Sequence, residues 1–289
     1  MKKSVGRIVF EVINYIILFI LSVMTLFPFI YVLLVSVTPA HELGNIGDYL
    51  LYFPKEIDFL AYSLIFQTDI IPQAYKISLF ITIVGTFLSL FVTVLTAYPL
   101  SRRKLPGKTF FLFMITFTML FHGGMIPTYL VVKDLRLLDT IWALIFPGLV
   151  SAFNVIIMKN YFHTIPESLD ESAKIDGAND FTVLFRIMLP LSMPIMATIA
   201  LFYAVGYWNS FFSAVLYINN HRLYPLQVVL RQIIFSASSD QILDIESFKA
   251  SSMAVRTATI IVTTVPILLV YPFVQKYFTQ GVLLGSVKE

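Results

Sequence analysis

The sequence predicts an all-α polytopic membrane protein with six transmembrane helices. Hydrophobic residues fill 58% of its 289 positions and charged residues 13%, whereas soluble domains hold about 45–50% apolar and about 25% charged residues. Apolar runs long enough to cross a bilayer recur between short charged turns. Backbone surrounded by hydrocarbon must satisfy its own hydrogen bonds, which makes each such run a helix. The absence of cysteine excludes disulfide frameworks and thiolate metal sites. His41, His122, His163 and His221 are scattered, so no metal site is expected. The net charge of +3 argues neither for nor against nucleic acid, and the apolar bulk of the chain argues against it.

A basic start (Lys2, Lys3, Arg7) precedes the first span, 13–37, which is too long for the apolar core of a signal peptide and contains Pro28 as a possible kink. Residues 38–75 are mixed, with Gly44, Gly47, Pro54 and Pro72, and read as an ordered loop. The second span is 77–100. Arg102, Arg103, Lys104 and Lys108 then make a strongly basic turn. The third span, 110–132, is interrupted by His122-Gly123-Gly124 and Pro127, and the fourth is 141–158. A charged segment, 159–190, separates it from the fifth, 191–218. A second long polar loop, 219–256, leads to the sixth span, 257–274, and a tail from Gln275. The whole of 1–289 is expected to form one transmembrane domain.

Orientation follows from lysine and arginine, which favour the cytoplasmic side. With six spans both termini share a side, and that side carries twelve of the 20 basic residues, including the turn at 102–108. Both termini and the segment 159–190 are therefore expected in the cytoplasm.

That segment holds five carboxylates against three basic residues but has the punctuation of structure. Thr164-Ile165-Pro166-Glu167 has the form of a capping box, and Ile165, Leu169 and Ala173 share a helical face. Asp176-Gly177 ends the helix, since glycine accepts the left-handed conformation after a helix. Asn179 or Asp180 can cap a second helix with Phe181, Leu184, Phe185 and Met188 as its stripe, stopped at Leu189-Pro190. The expected product is a rigid two-helix knob.

Glu171-Ser172-Ala173, Asp176-Gly177-Ala178 and Ile187-Met188-Leu189-Pro190 resemble the EAA loop of bacterial ABC importer permeases. There a Glu-Ala-Ala triplet is followed by glycine six residues after the Glu and Ile-x-Leu-Pro ten residues beyond the Gly. All spacings match, and Ser172 for the first alanine is the one departure. Residues Gly124 to Leu130, Leu137-Leu138-Asp139-Thr140 and the stretch Val274 to Phe278 with Gly281 and Gly285 are similar to the MalG-type half of carbohydrate importers. The resemblance implies a non-catalytic permease subunit of the bacterial plasma membrane, providing half of the path for a sugar, in particular an oligosaccharide. It implies coupling to an ATPase through Glu171, Ser172, Ala173, Asp176, Gly177, Ala178, Ile187, Leu189 and Pro190. The implied partners are a second, related permease, two ATPase subunits and an extracellular sugar-binding protein, which the loops 38–75 and 219–256 would face. ATP and Mg would sit on the ATPases.

The residues support that division of labour. Gly107-Lys108-Thr109 mimics part of a phosphate-binding loop, but the glycine required five positions before Gly107 is Arg102. No cofactor is therefore expected on this chain. An ion-gradient-driven transporter would be expected to place a charged residue mid-span, and none of the six spans does. A membrane-embedded enzyme would need a nucleophile–base pair or metal constellation, which a lone His122 does not supply.

Tyr203, Tyr207, Trp208, Asn209 and Phe212 cluster midway along the fifth span, with Tyr203, Tyr207 and Ser210 on one helical face. Aromatic faces and an amide suit a sugar, whose C–H faces stack and whose hydroxyls need donors and acceptors. Helix packing accounts for the same residues equally well. His122, a polar group beside two glycines, is a further candidate for the pathway.

Overall fold

The computed structural model describes residues 5–39, 41–43, 53–235 and 253–286. Among these there is no strand. Helix α1 is Val5–Ser36, α2 Leu60–Gln67, α3 Ile70–Ser101, α4 Lys108–Leu120 and α5 Met125–Asp134. Two 3₁₀ turns, Ile141–Leu144 and Phe146–Gly148, precede α6, Ala152–Thr164. Then come α7 (Glu167–Ile175), α8 (Asp180–Val183), a π turn (Leu184–Met188) and α9 (Leu189–Leu191). Helices α10 (Met193–Trp208), α11 (Phe212–Tyr217), α12 (Leu226–Phe235) and α13 (Met253–Ser286) complete the described chain.

Helices α1 and α3 and the stretch 253–270 of α13 are each long and apolar enough to cross a membrane alone. Three further candidates are bent pairs. Helices α4 and α5 meet at 115°, the 3₁₀ turns and α6 at 52°, and the α8–α9 segment and α10 at 84°. Pro28 lies within α1 without ending it. The third span of the sequence reading is broken at Phe121–Gly124, where Gly124 has φ 91°. The fifth ends at Trp208 rather than continuing to 218, and the chain from Gln275 is helical to Ser286.

By packing, the chain divides into two units: Met1–Asp69 with Leu230–Pro266, and Ile70–Val229 with Ile267–Glu289. In the first, α1 exposes apolar side chains from Ile8 to Leu33, as suits a helix whose solvent is hydrocarbon. Its end is tied to the loop after it: Asp58 N–H donates to Val37 C=O, and the Ser36 and Tyr62 hydroxyls lie 2.7 Å apart. That loop contains α2, so residues 38–75 are partly helical. Residues 236–252 of the second long loop lie outside the described residues.

The core of the second unit is α3 packed against α6 and α10. The buried positions of α3 at Ile71, Ala74, Ser78, Ile81, Gly85, Ser89, Thr93 and Ala97 step by three or four, forming one stripe of mostly small residues. Small side chains let membrane helices approach closely, and hydroxyls link them across the interface. A Cβ on Gly85 would meet the Tyr207 ring at 2.8 Å. The Tyr207 and Ser89 hydroxyls are 2.8 Å apart, as are those of Tyr203 and Thr93. Four residues back along α10 correspond to four forward along α3, so the two helices run antiparallel.

Candidate functional site

Helix α7 begins without the expected capping box. Its N-cap is Pro166, with no side-chain hydrogen bond, because the Thr164 hydroxyl donates to Tyr161 C=O and so serves the end of α6. Glu167 and Asp170 in the first turn and Lys174 in the last complement the helix dipole instead. The other end follows the sequence. Gly177 has φ 84°, its N–H donates to Lys174 C=O, and Ala178 N–H reaches Ala173 C=O. That bonding pattern is a Schellman motif, whose accompanying apolar contact joins the same two positions, here Ala173 and Ala178. Both alanines are half-buried against the core. Asn179 is the cap of the second helix: its Oδ1 accepts from Thr182 N–H at 2.8 Å.

Beyond it, Leu184 and Met188 are buried, Ile187 and Leu189 half-buried and Pro190 exposed. The helix runs one residue past Pro190, to Leu191, whose C=O accepts from the Tyr161 hydroxyl at 3.1 Å. Glu171, Ser172 and Asp176 are exposed, and the two carboxylates make no ion pair among the described residues. Around Gly177 the knob exposes two large apolar side chains, Ile175 at 86% and Phe181 at 67%. Leu169, read as sharing a helical face with Ile165 and Ala173, is 41% exposed.

The basic turn before α4 holds the knob, a role that sequence reading missed. Arg102 Nη1 lies 3.0 Å from Asp170 Oδ2, and Asp170 is buried. Arg103 and Glu167 pair at 3.6 Å with both side chains exposed, where such a pair contributes little. Lys174 Nζ bridges Asp170 at 3.4 Å and Asp180 at 3.0 Å, which ties α7 to α8 across the Gly177 turn. The hydrogen bond that Lys174 donates to Asp180 raises the Lys174 pKa above its ordinary value. A raised lysine pKa keeps this tie through the neutral range and loses it only as pH rises through that pKa.

A cavity of about 710 Å³ lies where the 3₁₀ turns, the start of α6 and the α10–α11 junction meet. The helix stops at Trp208, with Asn209 as its C-cap, and restarts at Phe212; Asn209 Nδ2 donates back to Val205 C=O at 2.9 Å. Tyr203, Tyr207, Asn209 and Phe212 line the cavity with Ser151, Asn154, Ser210, Ser213, Phe153 and Phe202. No lining residue is charged. The arrangement offers aromatic faces with amides and hydroxyls at the rim of a broken helix.

The structure thus gathers four of the six pathway candidates and separates two. Trp208 is buried edge-on to Tyr75, with ring centroids 5.9 Å apart, and does not line the cavity. His122 is exposed at the α4–α5 break and is not among the lining residues. The two tyrosine hydroxyls are engaged in packing, since that of Tyr203 also accepts from Ser151 N–H at 3.0 Å and that of Tyr207 donates to Ile145 C=O at 3.3 Å. Ser210, expected on their helical face, lies beyond the helix end with its hydroxyl 2.9 Å from that of Ser213.

Known proteins match this chain along nearly its full length. It is 47% identical to the polygalacturonan/rhamnogalacturonan transport system permease protein YtcP of Bacillus subtilis, over 96% of this chain and 98% of that one. It is 46% identical to protein LplC of the same organism, over 99% and 97% of the two chains. A crystal structure of a bacterial ABC transporter involved in the import of the acidic polysaccharide alginate contains a chain with the same fold. There the TM-score is 0.88 at 35% identity, covering 96% of this chain and 99% of that one. Residues 75–284 match the family described as binding-protein-dependent transport system inner membrane component, a span that includes the knob, the cavity and the α3–α10 interface. The chain belongs to that family and is a membrane permease of an ABC transport system.

Proposed function

We propose that this chain is one of two related permease subunits of an ATP-driven oligosaccharide importer, driven by a cytoplasmic ATPase that docks on the knob. The carrying observation is the knob itself. A Schellman turn at Gly177 fixes two helices, and their tip exposes Ile175 and Phe181 beside Glu171 and Asp176. An apolar tip with an acidic rim suits a cleft of apolar floor and basic edge. ATP and Mg belong to two ATPase subunits, and this chain binds no cofactor of its own. An extracellular binding protein delivers the sugar. Both termini lie in the cytoplasm of a bacterial cell. Family membership favours this reading over an ion-gradient transporter or an enzyme.

The sugar passes the cavity, with Tyr203, Tyr207 and Phe212 giving ring faces and Asn209 an amide. Trp208 and His122 are left out of this reading. Relatives named for polygalacturonan, rhamnogalacturonan and alginate favour fragments of acidic polysaccharides as cargo. Affinity purification of the tagged chain in mild detergent tests the docking: a second permease and an ATPase are expected with it. Ile175→Asp and Phe181→Asp should lose the ATPase and keep the permease. Retention of the ATPase by both variants would place the docking surface elsewhere. Uptake of oligogalacturonides against neutral oligosaccharides of equal length tests the cargo, and preference for the neutral sugars would overturn the acidic assignment.

A further inference from the structure

We propose that Arg102 and Asp170 are a positioning pair that delivers the motion of the coupling loop to α3, rather than to α10, the helix that follows the loop in sequence. This rests on the docking reading above.

The covalent route from knob to α10 is a poor lever. It passes through a π turn at Leu184–Met188, then Pro190, then Ser192, which is outside helical geometry at φ −103° and ψ 9°. It bends by 84° on the way. Helix interruptions of this kind are where chains flex or kink. The route through Arg102 is short and fixed at both ends. The guanidinium is held by the last turn of α3: Nη2 donates to the Tyr98 hydroxyl, and Cζ stands 4.4 Å from the centre of the Tyr98 ring. Its carbonyl accepts from Lys108 Nζ at 3.0 Å.

At the other end Asp170 is 8% exposed. Its two cation contacts share Oδ2, while Oδ1 is buried with no hydrogen-bond partner. Lys174 is half-exposed, so Arg102 is the partner that compensates this buried charge. A buried carboxylate missing one oxygen's partners is strongly dependent on the cation it keeps. Helix α3 in turn grips α10 through the Tyr203–Thr93 and Tyr207–Ser89 hydroxyl pairs and the Gly85 contact. A push on Asp170 therefore enters the α3–α10 block at the end of its uninterrupted member, a single helix of 32 residues with Pro99 in its last turn, and α10 follows through the interface.

The test uses the assembled complex in proteoliposomes, with sugar-loaded binding protein, and reads sugar uptake per ATP hydrolysed. Asp170→Asn and Arg102→Gln should each still bring the ATPase through purification and should lower that ratio roughly tenfold. The charge swap, Arg102→Asp with Asp170→Arg, should recover at least half of the wild-type ratio. A merely structural pair would alter yield and leave the ratio alone. Arg102→Lys and Asp170→Glu keep the charges and guard against variants that do not fold. Each should lower the ratio roughly twofold, with no further loss when combined.

Wild-type ratios in the neutralised variants overturn the proposal. So does a multiplicative loss in the conservative double variant. Absence of an ATPase from the wild-type complex would instead overturn the docking reading itself, and this proposal with it.

Discussion

Two glycines show how differently one residue type is constrained. At Gly177 a Cβ would meet nothing within 4 Å, so only its φ of 84° demands glycine. At Gly85 the backbone is ordinary helix, and the demand comes from the Tyr207 ring at 2.8 Å. Gly85→Ala should therefore overpack the α3–α10 interface and cost about 1–3 kcal/mol, seen as a lower unfolding temperature in detergent. Tyr207→Phe removes the hydroxyl's bonds to Ser89 and to Ile145 C=O, each worth about 0.6 kcal/mol in membranes. It should leave uptake nearly unchanged, because the ring face that lines the cavity stays. Loss of uptake without loss of stability in Tyr207→Phe would mean that the hydroxyl serves the sugar and not the packing. The sequence displayed the aromatic cluster openly. It could not display the hydroxyl partners, which follow from the antiparallel pairing of helices far apart in the chain.

At the scale of elements, the apolar runs read as the first, second and sixth spans fall on the long helices α1, α3 and α13, because the bilayer sets apolar length and hydropathy records it. Their breaks were only partly legible. Gly123-Gly124 announced the interruption of the third span, whereas the end of α10 was marked before Asn209 only by Gly206 in its last turn. The knob was legible because turn chemistry is local: Gly177, Asn179 and the alanines act within a few residues of one another. The Arg102–Asp170 tie was hidden because each charge already had a local explanation, one as a topological signal and the other as a helix-start carboxylate. The knob's turn can be tested by grading the left-handed cost. Gly177→Val should strain the backbone by about 1–3 kcal/mol and depress sugar-stimulated ATPase activity. Gly177→Asn should be milder, since asparagine visits this region more readily. Equal activity in the two variants would detach the turn geometry from coupling.

Across the second unit, polar ties mark two opposite ends. Helix α3, of 32 residues, separates them by about 48 Å at 1.5 Å per residue. At its Ser101 end lie Arg102, the basic turn and the knob. At its Ile70 end Gln73 Nε2 donates to Arg222 C=O at 3.4 Å, and Leu226 N–H to the Ser78 hydroxyl at 2.8 Å. The turns at 139 and 219–220 are joined as well: Asp139 Oδ1 accepts from Asn219 and Asn220 N–H at 2.9 and 2.7 Å, and Asp139 N–H donates to Tyr217 C=O at 2.9 Å. Asp139 holds φ 62°, a conformation that aspartate tolerates better than most residues. The span order puts the turns at 139 and 219–220 on the face opposite the knob, and the bonds agree by joining them to each other. On the proposed reading, the charge bias assigns the knob end to the cytoplasm. Because the chain has no cysteine, single cysteines can report this in the intact cell. Ser101 is a poor choice, being buried with its hydroxyl on Tyr98 C=O. Lys104 and Ser172 are exposed at the knob end and His221 at the other. An impermeant thiol reagent applied outside should label His221→Cys and spare Lys104→Cys and Ser172→Cys until the membrane is opened. External labelling at Lys104 would invert the chain in the membrane and move the knob beyond the reach of any cytoplasmic ATPase.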